Sequence, residues 1–277
     1  MKISVVIATL GGKQLLKTIK SLEFSYFQPN EIICVFAKHK FKPIFSKKIN
    51  IKNIYSNNAN QVLQRIEGLK HAKNHIILQA DDDIIFEKYS LMHLVNAFLK
   101  KNSYKTLLGP VFVNKKNRIH FNYNEKNIIS EIIKLIFCAA PLGSKKLGKI
   151  TNLGIAYGIN YKKKKNLFQS EWLPGGCILY HKNNKILKFP YKFKDKSYCE
   201  DLIHSLLRKK YNLNHFIVRK SKVYAPPIDY SNYSLFDILA EFKVRKYLLS
   251  YLNGNKIRYF IWCIFEIFNR FFKSVIR

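Results

Sequence analysis

Hydrophobic and polar positions along the chain change period in a regular way. Ile3–Ala8 is apolar and rich in β-branched residues, the pattern of a buried strand. Thr9-Leu10-Gly11-Gly12 reads as a turn, and Lys13–Phe24 then carries Leu15, Leu16, Ile19 and Leu22 at helical spacing. Glu31–Phe36 is a second strand and Ile49–Tyr55 a third. A helix is predicted over Asn58–Ala72, with Val62, Leu63, Ile66 and Leu69 on one face. Ile76–Gln79 is the next strand, Tyr89–Lys101 an amphipathic helix, and Thr106–Val113 a strand interrupted by Gly109-Pro110. Strands and helices in this alternation predict a doubly wound α/β domain, a Rossmann-like mixed sheet with helices on both faces.

The pattern loosens beyond residue 113. Ile128–Phe137 reads as helix, whereas residues 138–170 are rich in Gly, Lys and Asn without a period and read as an acceptor-side insertion or a flexible loop. Cys177–Tyr180 is a strand entered through Trp172, Pro174 and the pair Gly175-Gly176. Tyr198–Tyr211 contains a helix starting near Glu200-Asp201, and Phe216–Val218 is a last short strand. Pro226-Pro227 closes the compact part. The expected division is therefore 1–225, with halves 1–113 and 114–225, followed by a helical basic and aromatic extension over 226–277. Phe236–Leu252 and Lys256–Arg277 read as helices. In the second, Arg258, Glu266, Asn269, Arg270, Lys273 and Arg277 fall on one stripe. Its apolar run Tyr259–Phe265 is far short of the ~20 residues a membrane span needs. An amphipathic helix lying on an anionic membrane surface is expected, the alternative being a helix packed on protein.

Composition sharpens this picture. A chain of 277 residues with 48% hydrophobic content has enough apolar material for a core. Its five cysteines form no CxxC pair, which disfavours structural zinc and a disulfide framework. The first apolar run is too short, and lacks the flanks, for a signal peptide, so a cytoplasmic location is expected, peripheral on the inner face of the cell membrane. A net charge of +32 suits polyanionic partners: nucleic acid, anionic lipid or phosphorylated substrates. No nucleic-acid motif accompanies it, and Lys162–Lys165 alone reads as a solvated loop, so no nucleic acid is expected.

Against that charge, only 17 residues are acidic, and three stand in a row at a strand end: Asp81, Asp82 and Asp83. Adjacent carboxylates repel unless solvent or a cation absorbs the repulsion. Open α/β sheets place ligands at the C-terminal ends of strands. The triplet reads as a divalent-metal site or as a solvated turn. Gly11-Gly12 before a helix admits close backbone approach and phosphate, and an ordinary tight turn explains it at least as well. Arg65 reads as a diphosphate ligand or a surface arginine. Gly175-Gly176 reads as a close-approach turn or a bulge. Glu200 and Asp201 read as a helix-dipole pair or, with Asp201 preferred, as a general base, with His204 and Arg208 on about the same helical face.

Three segments, Ile3–Val35, Gln61–Phe86 and the pair Trp172–Tyr180 with Glu200–Arg208, together resemble the family-2 inverting glycosyltransferases of the GT-A fold. The resemblance covers roughly residues 1–218. It implies transfer of one sugar from a nucleotide-diphosphate sugar, UDP by family default, to a glycan or lipid-linked acceptor in cell-surface polysaccharide or lipopolysaccharide synthesis. It places Asp81–Asp83 at the DxD-type position, where carboxylates hold Mg²⁺ or Mn²⁺, with Asp81 and Asp82 nearest the sugar and metal and Asp83 a further candidate. It places Thr9 and Gly11 by the nucleotide, Arg65 by the diphosphate, Gly175 and Gly176 in the donor–acceptor turn, and Asp201 at the catalytic base beside Glu200. Three features depart from the family. Phe36-Ala37-Lys38 lacks the acid that usually follows strand two, Leu10-Gly11 stands where a polar-aromatic pair is customary, and the processive QxxRW motif is missing. A sugar-nucleotide nucleotidyltransferase and a non-catalytic α/β module binding anionic lipid or nucleic acid remain as alternative readings.

Overall fold

The computed structural model describes residues 1–37, 42–114, 116, 118–121, 128–159, 161, 165–193, 196–226 and 234–275, with side chains of 130 and 271–275 excepted. Lys38, Lys162–Lys164, Pro227, Ile276 and Arg277 lie outside the described residues, as do the side chains of Phe271, Phe272 and Lys273. Nine strands and seven α-helices are described: β1 Ile3–Thr9, α1 Lys13–Glu23, β2 Glu31–Ala37, β3 Asn50–Ser56, α2 Gln61–His71, β4 Ile76–Asp81, β5 Ile85–Phe86, α3 Ser90–Leu99, β6 Thr106–Val113, α4 Ile128–Cys138, β7 Leu167–Ser170, β8 Cys177–His181, α5 Glu200–Lys210, β9 Asn214–Tyr224, α6 Leu235–Leu252 and α7 Lys256–Val275.

The strands form one mixed sheet in the order β3-β2-β1-β4-β8-β6-β9-β5, with β7 also on β9. β1 lies between β2 and β4 and is parallel to both. Chain order therefore reverses at β1, and the crevice past the C-terminal ends of β1, β2 and β4 is the position open α/β sheets use for ligands. β1 and β2 are buried on both faces, as central parallel strands are. Val5 and Ile7 join the core under α1 and α3, and Val6 the core under α2.

The sheet-facing side of α2 keeps Val62 and Leu69 of the predicted face but is rolled away from Leu63. Leu63 is exposed, while Val62, Gln64, Arg65, Gly68 and Leu69 are buried. Gly68 sets this roll: a Cβ there would lie 2.5 Å from Val6 Cγ1 and 2.9 Å from Val35 Cγ2, so only glycine lets the helix settle onto β1 and β2. Gln64 and Arg65 are thereby turned toward the strand ends.

The second half departs more from expectation. β6 runs unbroken through Gly109-Pro110, with its register against β9 shifting between Pro110 and Val111. The stretch read as Phe216–Val218 is an 11-residue strand holding β6, β7 and β5. Residues 138–170 are no loose loop where described. They include a 3₁₀ turn at Gly143–Lys146 and the β7 strand. They bury Ala140, Leu153, Tyr157, Ile159 and Tyr161, and Lys146 is ion-paired with Glu131. Their anchors are spaced without a period, so no repeat revealed them.

The polar stripe of α7 also turns inward. Arg270 pairs with Glu241 at 3.0 Å and Glu266 at 2.8 Å, Arg258 donates to the Leu135 and Ile136 carbonyls that end α4, and Tyr259 and Trp262 are buried. Ile257, Phe260, Ile264 and Phe268 face outward, as do Ile128, Ile129 and Ile136 of the neighbouring α4. Among the described residues no helix is long and apolar enough to cross a membrane.

Candidate active site

β8 enters the sheet antiparallel to β4, pairing Cys177 with Ala80. That register brings the Gly175-Gly176 turn against the Asp triplet across nearly a hundred residues of chain. The Asp81 N–H donates to the Gly176 carbonyl at 2.8 Å, and Gln79 Nε2 donates to the Gly175 carbonyl at 3.0 Å. Each glycine leaves room for a carboxylate that stands opposite it. A Cβ on Gly175 would meet Glu200 Oε1 at 2.1 Å, and one on Gly176 would meet Asp81 Oδ2 at 2.8 Å.

Arg65 ties the two halves together. Its guanidinium donates to Asp81 Oδ1 and to Glu200 Oε1, each at 2.5 Å, and its side chain is 5% exposed. It is thus neither a surface arginine nor part of a cavity wall. Burial disfavours its charge, the Glu200 and Asp81 carboxylates outweigh that, and the group is held above its ordinary range. Gln61 adds a 2.6 Å bond to the same Asp81 oxygen.

The other acids are less satisfied. Asp82 accepts from Thr9 Oγ1 at 2.5 Å, and burial pushes its carboxyl up despite that bond. Asp83 is pushed up to about 6, by burial first and then by the Asp81 and Asp82 charges. Asp201 is pushed up to about 7, by burial and then by Glu200. Its Oδ1 accepts the Leu202 N–H at 2.9 Å, a bond of the first helical turn, while the helix-capping position itself is Cys199, in the left-handed region at φ 52°. His204 and Arg208 face the sheet. Arg208 is buried 4.0 Å over the Tyr180 ring, and burial, then Arg208, keeps His204 neutral.

Two cavities adjoin at this cluster. The larger, about 820 Å³, lies past the ends of β1 and β3 and is lined by Thr9, Asn58, Gln64, Asp82, Phe193 and Tyr198 among others. The smaller, about 270 Å³, is bounded by Asp81, Gly175, Gly176, Glu200, Asp201 and His120. Asp81 and Asp82 therefore face different chambers, and Asp201 stands in the second. Gly11 lines neither; at φ 81° it closes the turn by donating its N–H to Thr9 Oγ1 at 2.8 Å.

Several residues of this site were not singled out from sequence. Asn60 caps α2 and donates across the larger cavity to Ser197 Oγ at 3.0 Å. Gln61 and Gln64 stand one turn apart on the sheet side of α2. Carboxamides on the buried side of a helix were the available signal, hidden because the apolar residues Leu63 and Ile66 suggested a different face.

The oxygens available to a cation are those the protein leaves free. Asp81 Oδ1 is taken by Arg65 and Gln61, whereas no side-chain donor reaches Asp81 Oδ2 or the Asp83 carboxylate among the described residues. No three His, Cys, Asp or Glu side chains converge as a closed metal site among the described residues. A partial set of hard carboxylate oxygens fits Mg²⁺ or Mn²⁺, which complete their shell with substrate phosphates and water.

This is a GT-A-type glycosyltransferase fold. The chain superposes on the crystal structure of GalNAc-T7 with UDP, GalNAc and Mn²⁺, with a TM-score of 0.58 and 13% identity, over 90% of this chain and 49% of that one. It superposes equally on residues 1–349 of TarS from S. aureus in complex with UDP-GlcNAc, with a TM-score of 0.57 and 16% identity, over 92% and 68% of the two chains. A longer TarS structure gives a TM-score of 0.51 at 17% identity, over 90% and 39%. The chain thus spans about half the length of GalNAc-T7. No protein-family model and no curated protein sequence matches it.

Proposed function

We propose that the chain is a metal-dependent, inverting glycosyltransferase of the family-2 type, moving one sugar from a nucleotide-diphosphate donor to a glycan or lipid-linked acceptor. The observation that carries the reading is the pairing of two carboxylate centres, Asp81–Asp83 and Asp201, around two adjoining cavities, with Arg65 bonded into both sides. The solved relatives of this fold that hold UDP or UDP-GlcNAc support it, and UDP is the nucleotide we infer.

The larger cavity takes the nucleotide and the smaller one the acceptor. Mg²⁺ or Mn²⁺ held by carboxylate oxygens of the Asp81–Asp83 run would supply positive charge to the leaving diphosphate. The chain's own residues do the rest. Thr9 fixes Asp82, Arg65 and Gln61 fix Asp81, and the absence of a Cβ on Gly176 leaves room against Asp81. Asp201, with its affinity for a proton set near neutrality, takes the proton of the acceptor hydroxyl. The acceptor oxygen bonds to the anomeric carbon from the face opposite the diphosphate. The bond to the diphosphate breaks, its electron pair leaves with the nucleotide, and configuration inverts.

We infer further that the protein works at the inner, anionic face of a cell membrane in surface-glycan synthesis. The supporting feature is the outward apolar side of α7 and α4, not the basic stripe, whose described members bind protein groups. The test of the activity is a panel of nucleotide sugars with Mn²⁺, scored for release of nucleoside diphosphate. We expect one donor to be turned over, and Asp83→Asn to abolish turnover without unfolding the chain. No turnover of any donor, or unchanged turnover in Asp83→Asn, would defeat the proposal.

A further inference from the structure

Gln64 is a polar side chain with 2% exposure at the floor of the larger cavity. Its orientation is fixed. Nε2 donates to the Thr9 carbonyl at 2.9 Å and to the Val35 carbonyl at 2.7 Å, so both amide protons are spent on the ends of β1 and β2. Turning the amide over would set Oε1 against two carbonyl oxygens, so Oε1 is held on the other side. Among the described residues no donor reaches it, and it is not one of the occluded unpaired atoms, such as those of Arg208 and His215, that are sealed from solvent. An acceptor of fixed direction that opens into the cavity, with no protein donor, is available to an N–H of a bound ligand.

Its position says which part of the ligand. Asp82, the acid that lines this cavity, marks its diphosphate end. Gln64 lines the same cavity from between the ends of β1 and β2 and the N-terminal half of α2, where Asn57 and Asn58 also line the wall. The last described residues of β2, Phe36 and Ala37, bring no side-chain acceptor of their own. A fixed acceptor flanked by carboxamides that can donate matches an imide, whose edge runs carbonyl, N–H, carbonyl. Cytosine and adenine present a ring-nitrogen acceptor at the middle of that edge instead, against which Gln64 Oε1 would be repelled, and guanine, which shares the ring N–H, has an amine in place of one flanking carbonyl.

We propose that Gln64 Oε1 accepts the ring imide N–H of a uracil-type base and is the specificity-determining group for the donor nucleotide. The proposal rests on the nucleotide-sugar reading above. Calorimetric titration of the full chain with UDP, N3-methyl-UDP and CDP, in the presence of Mn²⁺, tests it. Wild type should bind UDP roughly tenfold or more tightly than either of the others, since both leave the acceptor unpaired. In Gln64→Met, which keeps length and loses the acceptor, UDP and N3-methyl-UDP should bind within about twofold of one another. A merely structural role for Gln64 would weaken all three ligands and leave their ratios unchanged. Equal binding of UDP and N3-methyl-UDP by wild type, which needs no variant, would overturn the assignment, as would a preference for CDP. If no nucleoside diphosphate binds, the donor reading falls and this assignment with it; if UDP binds but methylation is neutral, Gln64 alone loses its role.

Discussion

Replacing Arg65 by methionine removes the guanidinium that stands between Asp81 and Glu200 and keeps most of the buried volume. Both ion pairs are 2.5 Å long and the Arg65 side chain is 5% exposed, so the pair energy is little screened by solvent. Two carboxylates lose their cation at once, within reach of three further acids, Asp82, Asp83 and Asp201. Breaking a buried pair from one side costs roughly 3–5 kcal/mol, which at this chain length lowers Tm by roughly 10 °C. The loss should depend on pH. Asp83 and Asp201 are pushed up to about 6 and about 7, above the ordinary carboxylate value, so the stability they contribute is complete at low pH and is lost as pH rises through those values. Without Arg65 the same charging is repelled more strongly. The deficit of the variant should therefore be small near pH 4 and open between about pH 4 and pH 7.

Urea unfolding of wild type, Arg65→Met and Arg65→Lys across that range measures it. Lysine restores charge without the fork that reaches both carboxylates, and should recover part of the loss. An equal deficit at pH 4.5 and pH 8 would refute the electrostatic account and reduce Arg65 to a packing residue. Mn²⁺ should narrow the gap at pH 7, because a cation bound to the acids replaces part of the missing charge.

The base assignment predicts that kcat/KM rises with pH through a midpoint near 7, where Asp201 becomes ionised, and that Asp201→Asn loses roughly 10²–10⁴-fold and this limb with it; a persisting limb in the variant would assign it elsewhere. Gly175→Ala should destabilise by roughly 1–3 kcal/mol in urea unfolding, because its Cβ would overlap Glu200 Oε1 at 2.1 Å, and an unaltered midpoint would contradict that packing. Replacing Ile257, Phe260 and Phe268 together with serine should abolish co-sedimentation with vesicles of anionic lipid while leaving Tm nearly unchanged, since all three are exposed; retained binding would remove α7 as the contact.

Much of this molecule is written in period. The first four strands and their helices alternate between apolar runs and 3.6-residue spacing, and each was readable to within a few residues because local pattern and tertiary burial agree there. The same holds for the acids: three carboxylates at a strand end are rare in so basic a chain and stand out. Partnership is what local pattern cannot carry. Arg65 is one residue in a helix until β8 enters beside β4 and α5 brings Glu200 to it, a contact 135 residues away in sequence. The face of α2 was only half legible for a related reason. Leu63 and Ile66 make a plausible apolar stripe, but Gly68 alone can lie on Val6 and Val35, and helix roll follows the closest approach, not the greatest hydrophobicity.

The α7 stripe applies the same logic to charge. Read as a pattern, Arg258, Glu266 and Arg270 form a polar side suited to headgroups. In the fold, each has a nearer partner: Arg258 has the unpaired carbonyls at the end of α4, and Arg270 has Glu241 and Glu266. A helix end leaves carbonyls that need donors, and Glu241, 7% exposed, needs a cation, whereas solvated headgroups offer a surface charge much less. The basic residues therefore turn toward protein, and the apolar side is what remains outside. An amphipathic pattern fixes that a helix has two sides; which side faces inward depends on which of them finds the more demanding partners.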